Sequence, residues 1–194
     1  MPASSSSSSS DSGPVYFWHE TDPDLGYLSQ LYHYPFRDDK DEKTIYKTAE
    51  HYMMHQKALL FGDQDTAQEI LKTDSPRKAK SLGRKVKNFD NKTWNENRCR
   101  VARQGNILKF TRALAEEEIY MNTPHVPGEA IEGTLLEKLF STGERELVEA
   151  SPFDRIWGIG FKAADAEAAR ASWGENLLGK ELMEVRRILR ETDE

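Results

Sequence analysis

The chain has 194 residues, 37% hydrophobic and 10% aromatic, and its 27 lysines and arginines against 33 aspartates and glutamates give a net charge of −6. That length suits one domain, no apolar run approaches the roughly 20 residues that cross a bilayer, and the single cysteine, Cys99, can build neither a disulfide framework nor a multi-thiolate metal site. A membrane protein, a secreted disulfide scaffold and a zinc finger are therefore not expected; an intracellular protein, cytoplasmic or nuclear, is.

Residues 1–13 contain seven consecutive serines closed by Asp11, Ser12 and Gly13, and with nothing to bury they are expected to form a disordered tail. One domain is expected over residues 14–194. It opens with a short strand around Val15–Trp18 and then turns. The spacing predicts a helix from about Ala49 to Phe61, with Thr48 as its N-cap. Ser75-Pro76 starts another, a capping serine followed by proline at the first position, and Gly83 is its natural stop. A longer helix runs from about Lys92 through Ala113, loosened at Gly105. Residues 118–133, holding Pro124, Pro127, Gly128 and Gly133, read as a loop. A helix at Leu135–Phe140, a short strand at Glu146–Glu149 and a helix at Ala163–Ala171 follow. The last helix spans Leu178–Arg190, where Leu178, Leu182, Val185 and Leu189 recur at helical spacing. The fold class is mainly α, an α+β arrangement with a minor β component, and no βαβ alternation supports a nucleotide-binding sheet.

Charge is unevenly spread. Residues 72–112 carry 13 basic side chains against Asp74, Asp90 and Glu96, a net +10 inside an acidic protein. Such a cluster suits phosphate binding, and it equally suits a set of solvated helix faces.

The densest chemistry lies on the helix Glu50-His51-Tyr52-Met53-Met54-His55-Gln56-Lys57. At about 100° per residue, Glu50 and Lys57 fall within roughly 20° of one face. A carboxylate and an amine on one stripe fit an acid/base and a nucleophile. Glu50, in the first turn, also complements the helix dipole, so spacing leaves both readings open. His51 and His55 stand four apart, as metal-binding histidines do, yet no metalloprotease glutamate lies between them and no third ligand is evident, so no metal is expected. Cys99 sits between Arg98 and Arg100 and reads as a small apolar helix residue. Trp157-Gly158-Ile159-Gly160 lets backbone approach a ligand or simply makes a tight turn.

Taken in order, these segments resemble a known family. The series includes Gly26-Tyr27-Leu28-Ser29, Thr48-Ala49-Glu50-His51-Tyr52, Gln56-Lys57, Ser75-Pro76, Gly83-Arg84 and Trp94, then Leu108-Lys109-Phe110, Leu147-Val148-Glu149, Asp154, Trp157-Gly158, Asn176, Leu178-Gly179, Leu182-Met183 and Arg186. Over about residues 15–190 this is similar to the NADAR superfamily of YbiA-like proteins. The resemblance implies one compact, mainly helical domain and cleavage of the C–N bond between a ribose and an amine-bearing base. It assigns Lys57 to attack the anomeric carbon, forming a Schiff base that water resolves, and Glu50 to move protons. It further implies substrate binding by Trp18, Ser29, His51, Tyr52, Arg84, Trp94, Asp154, Trp157, Gly158 and Asn176, with no cofactor. Two departures bear on the leaving base: the usual serine-asparagine pair reads Ser29-Gln30 here, and residues 118–133 look like an insertion. The leading expectation is a hydrolase removing ADP-ribose from guanine in DNA. Cleavage of a small phosphoribosylated aminopyrimidine of riboflavin synthesis, and a non-catalytic ADP-ribose or nucleic-acid module, are the alternatives. A monomer with no membrane partner is expected.

Overall fold

The structure, a computed structural model, describes residues 13–115 and 134–193. The expected serine tail and the loop expected at 118–133 fall almost wholly outside these residues. Helices dominate: α1 (Ala49–Leu60), α2 (Gln64–Lys72), α3 (Pro76–Gly83), α4 (Asn91–Thr111), α5 (Leu135–Ser141), a short α6 (Ala163–Ala166) continued by a 3-10 turn (Glu167–Ser172), and α7 (Leu177–Asp193). The strands β1 (Val15–Phe17), β2 (Phe36–Arg37), β3 (Ile45–Tyr46) and β4 (Leu147–Glu149) form two small ladders. β1 runs parallel to β4 with Tyr16 opposite Val148, and β2 pairs antiparallel with β3.

Local chemistry explains the helix starts. Thr48, Asp63, Ser75, Asp90 and Thr134 each accept a backbone N–H three residues on, and Thr134 with Glu137 completes a capping box. Packing gathers the described core into two large parts and a small third one around Val148, Ile159 and Ala166. One large part gathers α1 to α4 around Phe36, Tyr46 and Tyr52; the other gathers β1, β4, α5 and α7 around Phe17, Leu147 and Leu182. Trp157 packs against both large parts.

Close helix crossings depend on glycines whose role differs from the sequence reading. α4 is unbroken through Gly105; a Cβ there would lie 2.6 Å from the Tyr52 ring, so the glycine admits Tyr52 rather than loosening the helix. Gly83 does end α3, but its missing Cβ matters more, because that position would collide with the Met54 side chain of α1. Gly179 lets α7 lie flush on β4, where a Cβ would sit 2.0 Å from the Leu147 carbonyl oxygen. Since backbone cannot yield as a side-chain tip can, Gly179→Ala is expected to cost about 1–3 kcal/mol. Urea unfolding measures it; an unchanged midpoint would show that the α7–β4 contact has slack.

Candidate active site

Where the two large parts of the core meet, α1, α3, the start of α4, β4 and the loops after β1 and β4 enclose a cavity of about 390 Å3. Glu50 and Lys57 both line it, one helical face contributing both as the spacing predicts. Glu50 is almost fully buried, and its Oε1 is sealed from solvent with no hydrogen-bond partner. Burial raises its pKa, Lys80 and Arg84 pull it back, Asp154 raises it further, and Lys57 lowers it. Its backbone N–H donates to the Gln30 carbonyl at 2.9 Å, which seats the first turn of α1 against the Ser29–Gln30 turn.

Lys57 is 9% exposed. Its Nζ donates to the Gly83 carbonyl at 2.8 Å, a contact that the close α1–α3 crossing at Gly83 permits. The rings of Phe89 and Trp94 lie 4.2 and 5.4 Å from that nitrogen. Burial pushes the amine below the usual lysine range, Glu50 opposes this, and Arg84 adds to it.

Trp18, Ser29, Arg84, Trp94, Asp154 and Trp157 join Glu50 and Lys57 in the cavity wall. Asp154 also shapes the backbone, since its Oδ1 accepts the N–H groups of Ile156 and Trp157 and so fixes the turn that presents Trp157. At the mouth Trp18 faces Phe153, ring centroids 6.0 Å apart, and Phe153 is 88% exposed.

Four residues expected to bind substrate do not line this cavity, and each has another partner. His51 ties α1 to the loop before α3: its Nε2 donates to the Thr73 carbonyl, its Nδ1 accepts from the Thr48 hydroxyl, and burial holds its pKa down to about 4. Tyr52 packs edge-on against Tyr46 in the core. Gly158 is a close-approach residue, since a Cβ there would lie 2.7 Å from the Glu149 carbonyl oxygen. Asn176 stands behind β4, its Oδ1 accepting from the Glu149 N–H and its Nδ2 donating to the Leu147 carbonyl, both at 3.0 Å. Its left-handed backbone, φ 49°, suits asparagine better than most residues.

The fold also brings in residues to which the sequence reading gave no binding or catalytic role, together with Gln30 of the Ser29-Gln30 departure. Glu149, Gln30, Ser151, Lys80, Met53 and Met54 line the cavity. Glu149 Oε2 is sealed and unpartnered, and burial with Asp154 and Glu50 nearby pushes this carboxyl up to about 8 against the pull of Lys80. Both polar atoms of the Gln30 amide are likewise sealed without partners. Lys109, counted in the basic segment, is fully buried and donates to the carbonyls of Tyr27 and Ser29 at 2.5 and 3.0 Å, clamping the turn that carries Gln30. Burial pushes its ammonium down to about 7.

Five of the thirteen basic residues of the segment are spent in ion pairs within the fold. Arg98, Arg103 and Arg112 pair with Glu175, Glu181 and Glu42, Lys87 with Asp63 and Asp65, and Arg77 with Glu20. Lys80 and Arg84 remain in the cavity wall with no ion pair to a described residue, and exposed Lys78 and Lys85 adjoin them along the chain.

A mainly helical domain with an amine and buried carboxyls around one cavity defines a class of acid–base site, and the comparisons name its family. The NADAR domain model matches residues 16–190, and the chain belongs to that family. It is 38% identical over 148 residues to N-glycosidase R617 of Acanthamoeba polyphaga mimivirus, covering 75% of this chain and 76% of that one. It is 29% identical over 178 residues to riboflavin biosynthesis protein VVA0006 of Vibrio vulnificus, covering 92% of this chain but only 39% of that protein. The solved structure of Escherichia coli YbiA superposes with a TM-score of 0.67 at 26% identity, covering 94% of this chain and 88% of that one.

Proposed function

We propose that this protein is an N-glycosidase that hydrolyses the bond between ribose C1 and the nitrogen of a base, with ADP-ribose on guanine in DNA as its substrate. One observation carries the chemistry: Glu50 and Lys57 are sealed in the same cavity, with burial and Arg84 lowering the amine's pKa. A neutral Lys57 Nζ then attacks C1, the C1–N bond breaks with its electron pair on nitrogen, and the ring C1–O bond opens to leave an imine. Glu50 moves protons at the ring oxygen and the amine. Water adds to C1, the lysine departs, and the free sugar closes. A binding module has no use for unpartnered buried carboxyls, which cost stability without adding affinity. The mimivirus relative named an N-glycosidase supports the same reading.

Lys80 and Arg84 in the cavity wall, with Lys78 and Lys85 beside them, favour a polyphosphate over a single phosphate. Exposed Phe153, tilted 53° to Trp18, offers an aromatic face on which a second base stacks. The second reading, a phosphoribosylated aminopyrimidine, draws on the relative named for riboflavin biosynthesis. Offering purified protein both ADP-ribosylated DNA and the aminopyrimidine ribotide, and identifying the released base, decides between them. Affinity for the modified DNA is expected to fall by roughly 0.7 to 0.9 log units per log unit of salt for each phosphate held. Lys78→Glu with Lys80→Glu is expected to flatten that slope. A DNA reaction indifferent to salt would instead point to free ribosylated nucleosides.

A further inference from the structure

We infer that Glu149 is a second catalytic carboxyl of this cavity, delivering its proton to the leaving nitrogen as the ribose C1–N bond breaks. The inference rests on the N-glycosidase reading and assigns a step that Glu50 and Lys57 leave open. Glu149 enters the cavity from β4, whereas Glu50 and Lys57 enter from α1.

Its backbone is fixed from two sides. The N–H donates to Asn176 Oδ1 at 3.0 Å, and the carbonyl accepts from the Ile159 N–H at 2.9 Å. Asn176 is itself held, donating its N–H to the Gly158 carbonyl and its Nδ2 to the Leu147 carbonyl. The side chain receives no such support: Oε2 is sealed, and no ion pair joins the carboxyl to a described residue. The residue is only partly buried, but a sealed carboxylate oxygen kept for structure normally finds a donor, because leaving it unpartnered is costly. Here the framework is rigid and the functional group is left for a ligand.

The charged groups facing it are Glu50 from α1, Asp154 from the loop after β4 and Lys80 from α3. With two carboxyls and burial opposing one ammonium, Glu149 holds its proton at neutral pH and is an acid ready to donate. The step balances. The proton passes to the base nitrogen, the C1–N electron pair stays on that nitrogen, and the base leaves neutral. The Glu149 carboxylate then recovers a proton from the water whose oxygen bonds to C1. Across the cycle one C–N and one O–H bond break, and one C–O and one N–H bond form.

A series of N-ribosides with one sugar and leaving nitrogens of decreasing basicity demand, ending in a pyridinium that needs no proton to depart, tests the assignment. Glu149→Gln keeps the shape and removes the proton. It is expected to lower kcat by about 100-fold or more on the poorest leaving base, with the loss shrinking along the series to less than about fivefold on the pyridinium. Equal loss across the series, or none, overturns the assignment while leaving the N-glycosidase reading standing. Wild-type protein that cleaves no member overturns both. Should Glu149→Gln fail to fold, wild-type protein alone suffices: its rate on the poorest leaving base must fall above about pH 8 relative to its rate on the best. A constant ratio between the two rates contradicts the proposal, since titration of Lys57 alters both alike.

Discussion

Lys57→Ala is expected to abolish most turnover, on the order of 100-fold or more, while leaving the fold intact. The lost Nζ contact to the Gly83 carbonyl is one hydrogen bond, worth about 1 kcal/mol, which the packed helices around α1 tolerate. Activity depends on the amine differently. An ordinary lysine, with a pKa near 10.4, is only about 0.04% neutral at pH 7, so attack on carbon requires the lowered value that burial and Arg84 favour at this position. Lys57→Arg is not expected to rescue, because a guanidinium stays charged and forms no imine. Steady-state rates with circular dichroism on the same samples separate the two effects. A folded Lys57→Ala protein at near wild-type rate would leave Glu50 activating water directly.

Glu149→Gln is expected to gain stability over wild type as pH rises. In the folded protein the carboxyl titrates at about 8, against an ordinary value of 4.5. Between those values the folded state holds a proton that the unfolded state has lost, so this group stabilises fully below 4.5 and its contribution disappears as pH approaches 8. The gap between variant and wild type should therefore widen by about 1.4 kcal/mol per pH unit across that window. The difference is the right measure, because His51, held down to about 4, contributes a slope of opposite sign up to its ordinary 6.5. Lys109, held down to about 7, does the same above that pH. Urea unfolding of both proteins at pH 5, 6.5 and 8 reads the gap; a constant gap would mean that Glu149 titrates normally and is no acid at neutral pH.

The sequence announced helix ends more clearly than it announced the site. Thr48, Ser75 and the Leu178 stripe carry local signals, a side-chain cap or a 3.6-residue period, and the helices at those places follow. α2 went unread although Asp63 caps it, because its nine residues bury only Ala67 and Ile70, too few apolar positions to mark a core face in a short segment. β2 and β3, two residues each, are too short for alternation to register. Glu50 and Lys57 were legible because one helix carries both. Glu149, read only as part of a motif, carried no sign of its place: it ends a three-residue strand, and the β1–β4 pairing and the α7 crossing at Gly179 bring it to the cavity. The burial of Lys109 was hidden too, because a charge count over 72–112 does not tell a buried lysine of α4 from an exposed one. The charge count exaggerated the cationic surface, since local composition cannot reveal that Glu42, Glu175 and Glu181 fold back onto its arginines. His51 and Asn176, expected to bind substrate, instead hold the frame behind the cavity.

The covalent role of Lys57 is tested most directly by adding borohydride during turnover and digesting the protein for mass spectrometry. The imine predicts a stable ribosyl adduct on the peptide that carries Lys57, absent from Lys57→Ala and absent without substrate. Full-speed turnover with no adduct on that peptide would contradict it.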